Sequence, residues 1–173
     1  MFGALYDMKN DYQYLMDLLA SGDIEKLEEA TLMIDDFPNG KDNFLHRDWI
    51  TNSIDCGSLN SVKWVLEKGV SLEFRDQEGL TPLLSAIDRD LSDKYEILEL
   101  LIKYGAPINK KGWNDWTPLH QAAVREDIEA LEILVKNDAD LNIKTTIDDY
   151  ATPLEEAKIM NCQKSVEFLQ NVV

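Results

Sequence analysis

The tripeptide Thr-Pro-Leu recurs at Thr81-Pro82-Leu83, Thr117-Pro118-Leu119 and Thr152-Pro153-Leu154, with spacings of 36 and 35 residues. A fixed period in this range marks a solenoid, in which each unit buries one face against the next and no unit folds alone. Such a chain offers a long, shallow, rigid surface, whereas catalysis usually needs an enclosed pocket.

Local chemistry within each copy explains why the tripeptide starts a helix. Threonine accepts a free backbone N–H at the helix N-terminus, and proline at the first helical position forfeits no hydrogen bond. Leucine then faces the core, and Ala86, Ala122 and Ala123 let neighbouring helices approach closely. A second amphipathic helix follows in Tyr95 to Ile102 and in Ile128 to Val135, with apolar residues at three- and four-residue steps. The i,i+4 pairs Glu99/Lys103 and Glu132/Lys136 mark the wet face. Gly69 and Gly105 follow such helices, where a left-handed residue ends the helix. Asp138 fills that slot in the next copy, at about 1 kcal/mol relative to glycine if the conformation is kept.

The run Thr117-Pro118-Leu119-His120-Gln121-Ala122, repeated in degenerate form and in register, resembles the ankyrin-repeat motif Thr-Pro-Leu-His-x-Ala. The resemblance implies an all-α fold, an ankyrin-repeat solenoid of about five helix-turn-helix repeats with short finger loops, spanning residues 1–173 as one domain. The repeats fall approximately at 12–43, 44–76, 77–112, 113–147 and 148–173. Gly57 to Gly69 matches the second half of a repeat, whose first helix starts near Trp49 with Asp48 as N-cap. Two departures stand out: extra residues in Asp88 to Asp93, and a finger from Ile143 to Ala151 that is longer and lacks glycine. Both are either drift or contacts specific to a partner.

The formal net charge of −16 repels phosphate backbones and anionic headgroups, which disfavours nucleic acid and membrane partners. It speeds encounter with a basic protein, or serves only solubility. Met1 to Asp11 has no apolar core of a secretory signal, and no apolar run reaches the ~20 residues of a membrane span. Cys56 and Cys162 are too few for a disulfide framework or a zinc site, and by register they lie three stacking steps apart. The expectation is a cytoplasmic, stand-alone chain that is monomeric when free, with two free thiols.

No nucleophile elbow, zinc-protease helix, phosphate loop or Cys-x-x-Cys is present. His120 occupies the motif histidine, which the family uses to bond backbone between repeats, and His46 lies in a polar loop. Cys56 stands alone, and the pairs Asp35-Asp36 and Asp148-Asp149 lack calcium-loop spacing and read as solvated charge. No catalytic residue, cofactor or metal is therefore expected.

The resemblance implies a binding groove built from the fingers and the first helix of each repeat. By register its finger positions include Phe44, Arg47, Gln77, Glu78, Leu80, Trp113, Asn114, Trp116, Asp148 and Asp149. Helix ends add Asp55, Asp88, Arg89, Val124 and Arg125. Trp113 is a natural interface anchor, because a short finger has no core to hide it. Trp116, just before the Thr117 cap, either packs on the adjacent finger or faces the partner. Trp64 lies on an apolar helix face and reads as core. The expected function is non-catalytic binding of a protein partner, basic in character. It resembles small bacterial ankyrin proteins, some of which are immunity proteins that neutralise a cognate toxin; the alternative is an adaptor or assembly scaffold, including an effector that binds host proteins.

Overall fold

Thr81, Thr117 and Thr152 stand in extended conformation and accept the backbone N–H of Leu84, His120 and Glu155 in turn, with proline at the first helical position each time. The tripeptide is thus a helix start at every occurrence. A computed structural model describes residues 12–147 and 150–172. Among these residues lie ten α-helices and no strand beyond an isolated bridge, which makes the fold an all-α repeat solenoid. The chain divides into two compact units, 1–71 and 72–173.

The first unit contains α1 (Tyr12–Ser21), α2 (Ile24–Met33), α3 (Trp49–Cys56) and α4 (Leu59–Glu67). Leu15, Leu19 and Leu27 pack with Ile50, Ile54, Val62 and Val65 in its core. Phe37 meets Trp49 edge-on at 5.1 Å, and Trp64 is buried as the sequence implies. The Trp64 indole N–H donates to Glu28 at 2.7 Å, so a large aromatic is buried without losing its polar partner. Ser61 Oγ and Ser58 N both donate to the Leu19 carbonyl, at 2.6 and 2.9 Å, stitching α4 to the end of α1. Asp48 precedes α3 as expected, but its carboxylate makes no capping bond. It pairs instead with Lys41 Nζ at 3.1 Å, a charge-assisted bond that outcompetes a neutral N–H.

The second unit contains α5 (Pro82–Asp88), α6 (Lys94–Lys103), α7 (Pro118–Val124), α8 (Ile128–Lys136), α9 (Pro153–Ile159) and α10 (Gln163–Val172). The short helices α5 and α7 are buried along almost their whole length, which is why alanine recurs there. The helices α6 and α8 bury Ile97, Leu98 and Leu101, and Leu131 and Leu134, and keep Glu99, Lys103, Glu132 and Lys136 wet. Gly105 and Asp138 take the helix-ending slot with φ of 87° and 63°, so aspartate keeps the left-handed conformation. Gly69, which ends α4 in the first unit, does the same with φ 74°. Neither Cys56 nor Cys162 is in a disulfide among the described residues; their thiols donate to the Asn52 carbonyl at 3.1 Å and the Val124 carbonyl at 3.3 Å.

Candidate functional site

A backbone bond closes each finger just before the helix it introduces. Asp42 N donates to the Arg47 carbonyl, Asp76 N to Leu80, Gly112 N to Trp116 and Thr145 N to Ala151. The last pair is six residues apart against four for the two before it, so the extra length of that finger lies inside its closing bond. In the first unit the loop is held by Asp42, which is 1% exposed. Burial alone would raise its carboxyl, but bonds from the Asn52 side chain and the Leu45, Phe44 and Arg47 N–H groups outweigh that and hold it below the ordinary value.

The finger at 112–116 has a tight geometry. Trp113–Asp115 forms one 3-10 turn, with Asn114 and Asp115 left-handed at φ 55° and 59°. A Cβ at Gly112 would sit 2.6 Å from the Gly79 carbonyl oxygen, so only glycine lets the two successive finger backbones meet. Asp115 braces the finger on its other side. Its Oδ2 accepts from Lys111 Nζ at 2.8 Å, from Thr146 Oγ1 at 2.7 Å, and from the Thr146 N–H. Burial pushes the Asp115 carboxyl up, yet these donors win and leave it below the ordinary carboxylate value.

This bracing presents Trp113 and Trp116 as an edge-to-face pair, 5.7 Å between centroids and 88° between planes. Trp113 is 52% exposed, while Trp116 is half-buried. The pair lines a hollow of about 440 Å³, with Leu80 and Val124 completing an apolar wall and Glu78, Asp88, Gln121 and Arg125 supplying the polar part. Asp88 Oδ1 accepts from Gln121 Nε2 at 2.5 Å and from Arg125 Nε at 2.7 Å, and lies 2.6 Å from an Arg125 terminal nitrogen. The same two tryptophans line a second hollow of about 330 Å³ with Asn114, Thr145, Ile147, Glu156 and Met160. A larger hollow of about 870 Å³ shares Asp88 and Arg125 but is otherwise mostly charged; its Asp127 is already held by Lys94 and by Tyr95 OH, the latter at 3.0 Å.

Glu78, Leu80, Asp88, Trp113, Trp116, Val124 and Arg125, separate in the sequence, thus line one hollow, and Asn114 lines its neighbour. Gln77 is exposed on the finger of Glu78. Arg47 and Asp55 belong to the first unit, where they form an ion pair, and Phe44 is exposed there against Tyr12. Arg89 is a correction. Its side chain is 1% exposed, and it grips Asp93 through Nε and a terminal nitrogen at 3.0 and 2.8 Å. The extra residues before α6 bury this cation instead of offering it to a partner. Asp148 and Asp149 lie outside the described residues.

Sequence reasoning missed Gln121, Asp115, Ile147 and Met160. Gln121 was within reach, since it fills the variable slot of the Thr117 motif and lies one helical turn before Arg125. His120 is 0% exposed; its Nδ1 is 2.8 Å from Thr117 Oγ1 and its Nε2 is 3.1 Å from the Ala151 carbonyl. Because Ala151 offers only an acceptor, Nε2 carries the proton, and the ring links one repeat to the finger of the next. Among the described residues no group of three or more His, Cys, Asp or Glu could hold a metal ion, and no helix is long and apolar enough to cross a membrane.

A family model for ankyrin repeats, in three copies, matches residues 50–145. The chain is 32% identical over 120 residues to a candidate E3 ubiquitin-protein ligase, XBAT34, of Arabidopsis thaliana, covering 68% of this chain and 30% of that protein. It is 32% identical over 124 residues to alpha-latrotoxin-Lg1a of Latrodectus geometricus, covering 70% of this chain and 9% of the toxin. It is 33% identical over 100 residues to the RelA-associated inhibitor of Mus musculus, covering 58% of this chain and 12% of the inhibitor. The chain therefore spans less than a third of each of these relatives.

Proposed function

The chain belongs to the ankyrin-repeat family, and on that premise we propose that it acts without catalysis, as a protein–protein interaction module holding a basic protein partner against its fingers and first helices. The observation that carries this reading is the hollow beside Trp113 and Trp116. Residues from two fingers and two first helices bring an aromatic pair (Trp113 exposed, Trp116 half-buried), an apolar wall and two carboxylates to one place. Half-exposed tryptophan on a braced finger has no stabilising role that burial would serve better, and such residues dominate binding energy when a partner covers them. The net charge of −16 favours a basic partner through faster encounter.

In its narrower form the module is a cytoplasmic, monomeric inhibitor of the immunity type, for which rapid association with a cationic toxin protects the cell. One observation favours the second reading, an adaptor or scaffold, including an effector acting on host proteins. The relatives carry names as different as a ligase, a toxin and an inhibitor, and this chain matches only a segment of each.

The test begins with affinity capture from source cells at low and moderate salt, followed by calorimetry on the purified complex. Trp113→Ala is expected to leave the helical signal and the unfolding midpoint nearly intact and to weaken binding by ~2 kcal/mol or more. Neutralising Asp148 and Asp149 is expected to slow association and flatten its salt dependence. A single tight basic partner supports the inhibitor, and several weak partners support the adaptor. Unchanged affinity of Trp113→Ala would move the binding surface off the fingers.

A further inference from the structure

The chemistry of the 440 Å³ hollow narrows what it takes up. Glu78 is exposed, and its carboxylate has no partner among the described residues. Among the described residues, the hydrogen bonds to the Asp88 carboxylate both fall on Oδ1 and none on Oδ2. Arg125 neutralises one of the two carboxylates, so the hollow keeps a net negative charge beside two indole rings. A purely apolar side chain seated there would strip water from Glu78 and Asp88 with nothing in return. An acidic side chain would be repelled. A cation on a long apolar stem satisfies every wall: its methylenes lie along Leu80 and Val124, and its head meets an indole and a carboxylate together.

Between the two such side chains the geometry favours arginine. Its guanidinium is flat, stacks on indole, is more weakly hydrated than an ammonium, and binds carboxylate with two parallel N–H groups. The rim of the same hollow already holds a guanidinium against a carboxylate, where Arg125 brings Nε and a terminal nitrogen to the single oxygen Oδ1 of Asp88. We propose that the hollow formed by Leu80, Trp113, Trp116 and Val124, with Glu78 and Asp88 at its rim, is a socket for an arginine side chain of the protein partner. This rests on the partner-binding reading of the same surface and names the residue that the surface grips.

The experiment uses the full chain, labelled with nitrogen-15, and follows its indole N–H signals in NMR. Four capped peptides are titrated in turn: Gly-Gly-Arg-Gly-Gly and its lysine, citrulline and leucine counterparts. Citrulline keeps the flat shape and loses the charge. The arginine peptide is expected to shift the Trp113 and Trp116 signals saturably, while those of Trp49 and Trp64, buried in the first unit, stay in place. Lysine is expected to bind more weakly than arginine, and citrulline more weakly by about fivefold or more. Glu78→Gln, a surface change that leaves the fold alone, is expected to weaken the arginine peptide by about two- to fivefold. Trp113→Ala is expected to weaken it on the order of tenfold. Leucine binding as well as arginine would overturn the socket and leave the partner-binding reading standing, because an apolar anchor would then fill the same hollow. Citrulline equal to arginine, shifts at all four tryptophans alike, or no shift with any peptide would each overturn the socket, while the calorimetry of Trp113→Ala on the purified complex judges the partner-binding reading separately.

Discussion

His120 is the most informative single residue to remove. Its ring is fully buried and meets the Thr117 N–H, 3.3 Å from Nδ1, and the Ala151 carbonyl, 3.1 Å from Nε2, which also takes the Thr145 N–H at 3.0 Å. His120→Ala leaves the buried Thr117 N–H bare, takes one of two donors from the Ala151 carbonyl and empties an imidazole's volume, at about 2–4 kcal/mol in all. The same geometry predicts a pH signature. Burial lowers the His120 pKa from its ordinary value of 6.5, the Ala151 bond opposing this only in part. A depressed folded-state pKa means the contribution is complete above the unfolded value and is lost as pH falls below it, because the unfolded chain then binds a proton that the folded one refuses. Between about pH 7.5 and about pH 5.5 the protein should lose up to about 1.4 kcal/mol that the variant does not lose. Urea unfolding of both proteins at the two pH values measures this, and the gap between them should narrow on acidification. His46→Asn, at an exposed left-handed position, serves as the control and should shift stability by no more than about 0.5 kcal/mol. A gap below about 1 kcal/mol that is the same at both pH values would refute the bridging role.

Two further outcomes follow from the fold. Leu119→Ala, at 1% exposure, should cost about 2–5 kcal/mol in urea unfolding, whereas Glu132→Ala on the wet face of α8 should cost little; equal shifts in midpoint would mean the helix faces are misassigned. Thiol titration should count two reactive groups after unfolding without reductant, and in the native protein Cys56 should react before Cys162, which is buried and whose thiol burial pushes up; a count of zero in a monomer would contradict the free thiols.

Everything the repeat period controls was legible in the sequence. The threonine caps, the proline at the first turn, the buried alanines and the glycine or aspartate after each second helix are local devices, and each appears at its expected position. Most of the hollow was legible too, because a periodic fold returns positions such as Leu80 and Trp116 to the same face. What escaped depends on side-chain pairing across the period. Arg89 looks like a groove cation until Asp93, four residues on, captures it and buries it. Asp48 looks like a cap until Lys41 takes its carboxylate. Asp115 draws no notice in the sequence, because its partner Thr146 lies in the next finger. Register places residues on a face, and it does not say which of two neighbours an ionised group will choose.

The fastenings of the last finger and the last helix bear on how the molecule yields to force. His120 reaches the Ala151 carbonyl, Asp115 holds Thr146, Lys111 donates to the Lys144 carbonyl at 2.6 Å, and Glu126 accepts the Lys164 N–H at 2.8 Å. These bonds hold the last finger at Lys144, Thr146 and Ala151 and the last helix at Lys164. A load applied at the C-terminus is therefore expected to be shared among all four attachments, and single-molecule pulling should show this segment leaving in one sharp extension step instead of a gradual peel of α10 and then α9.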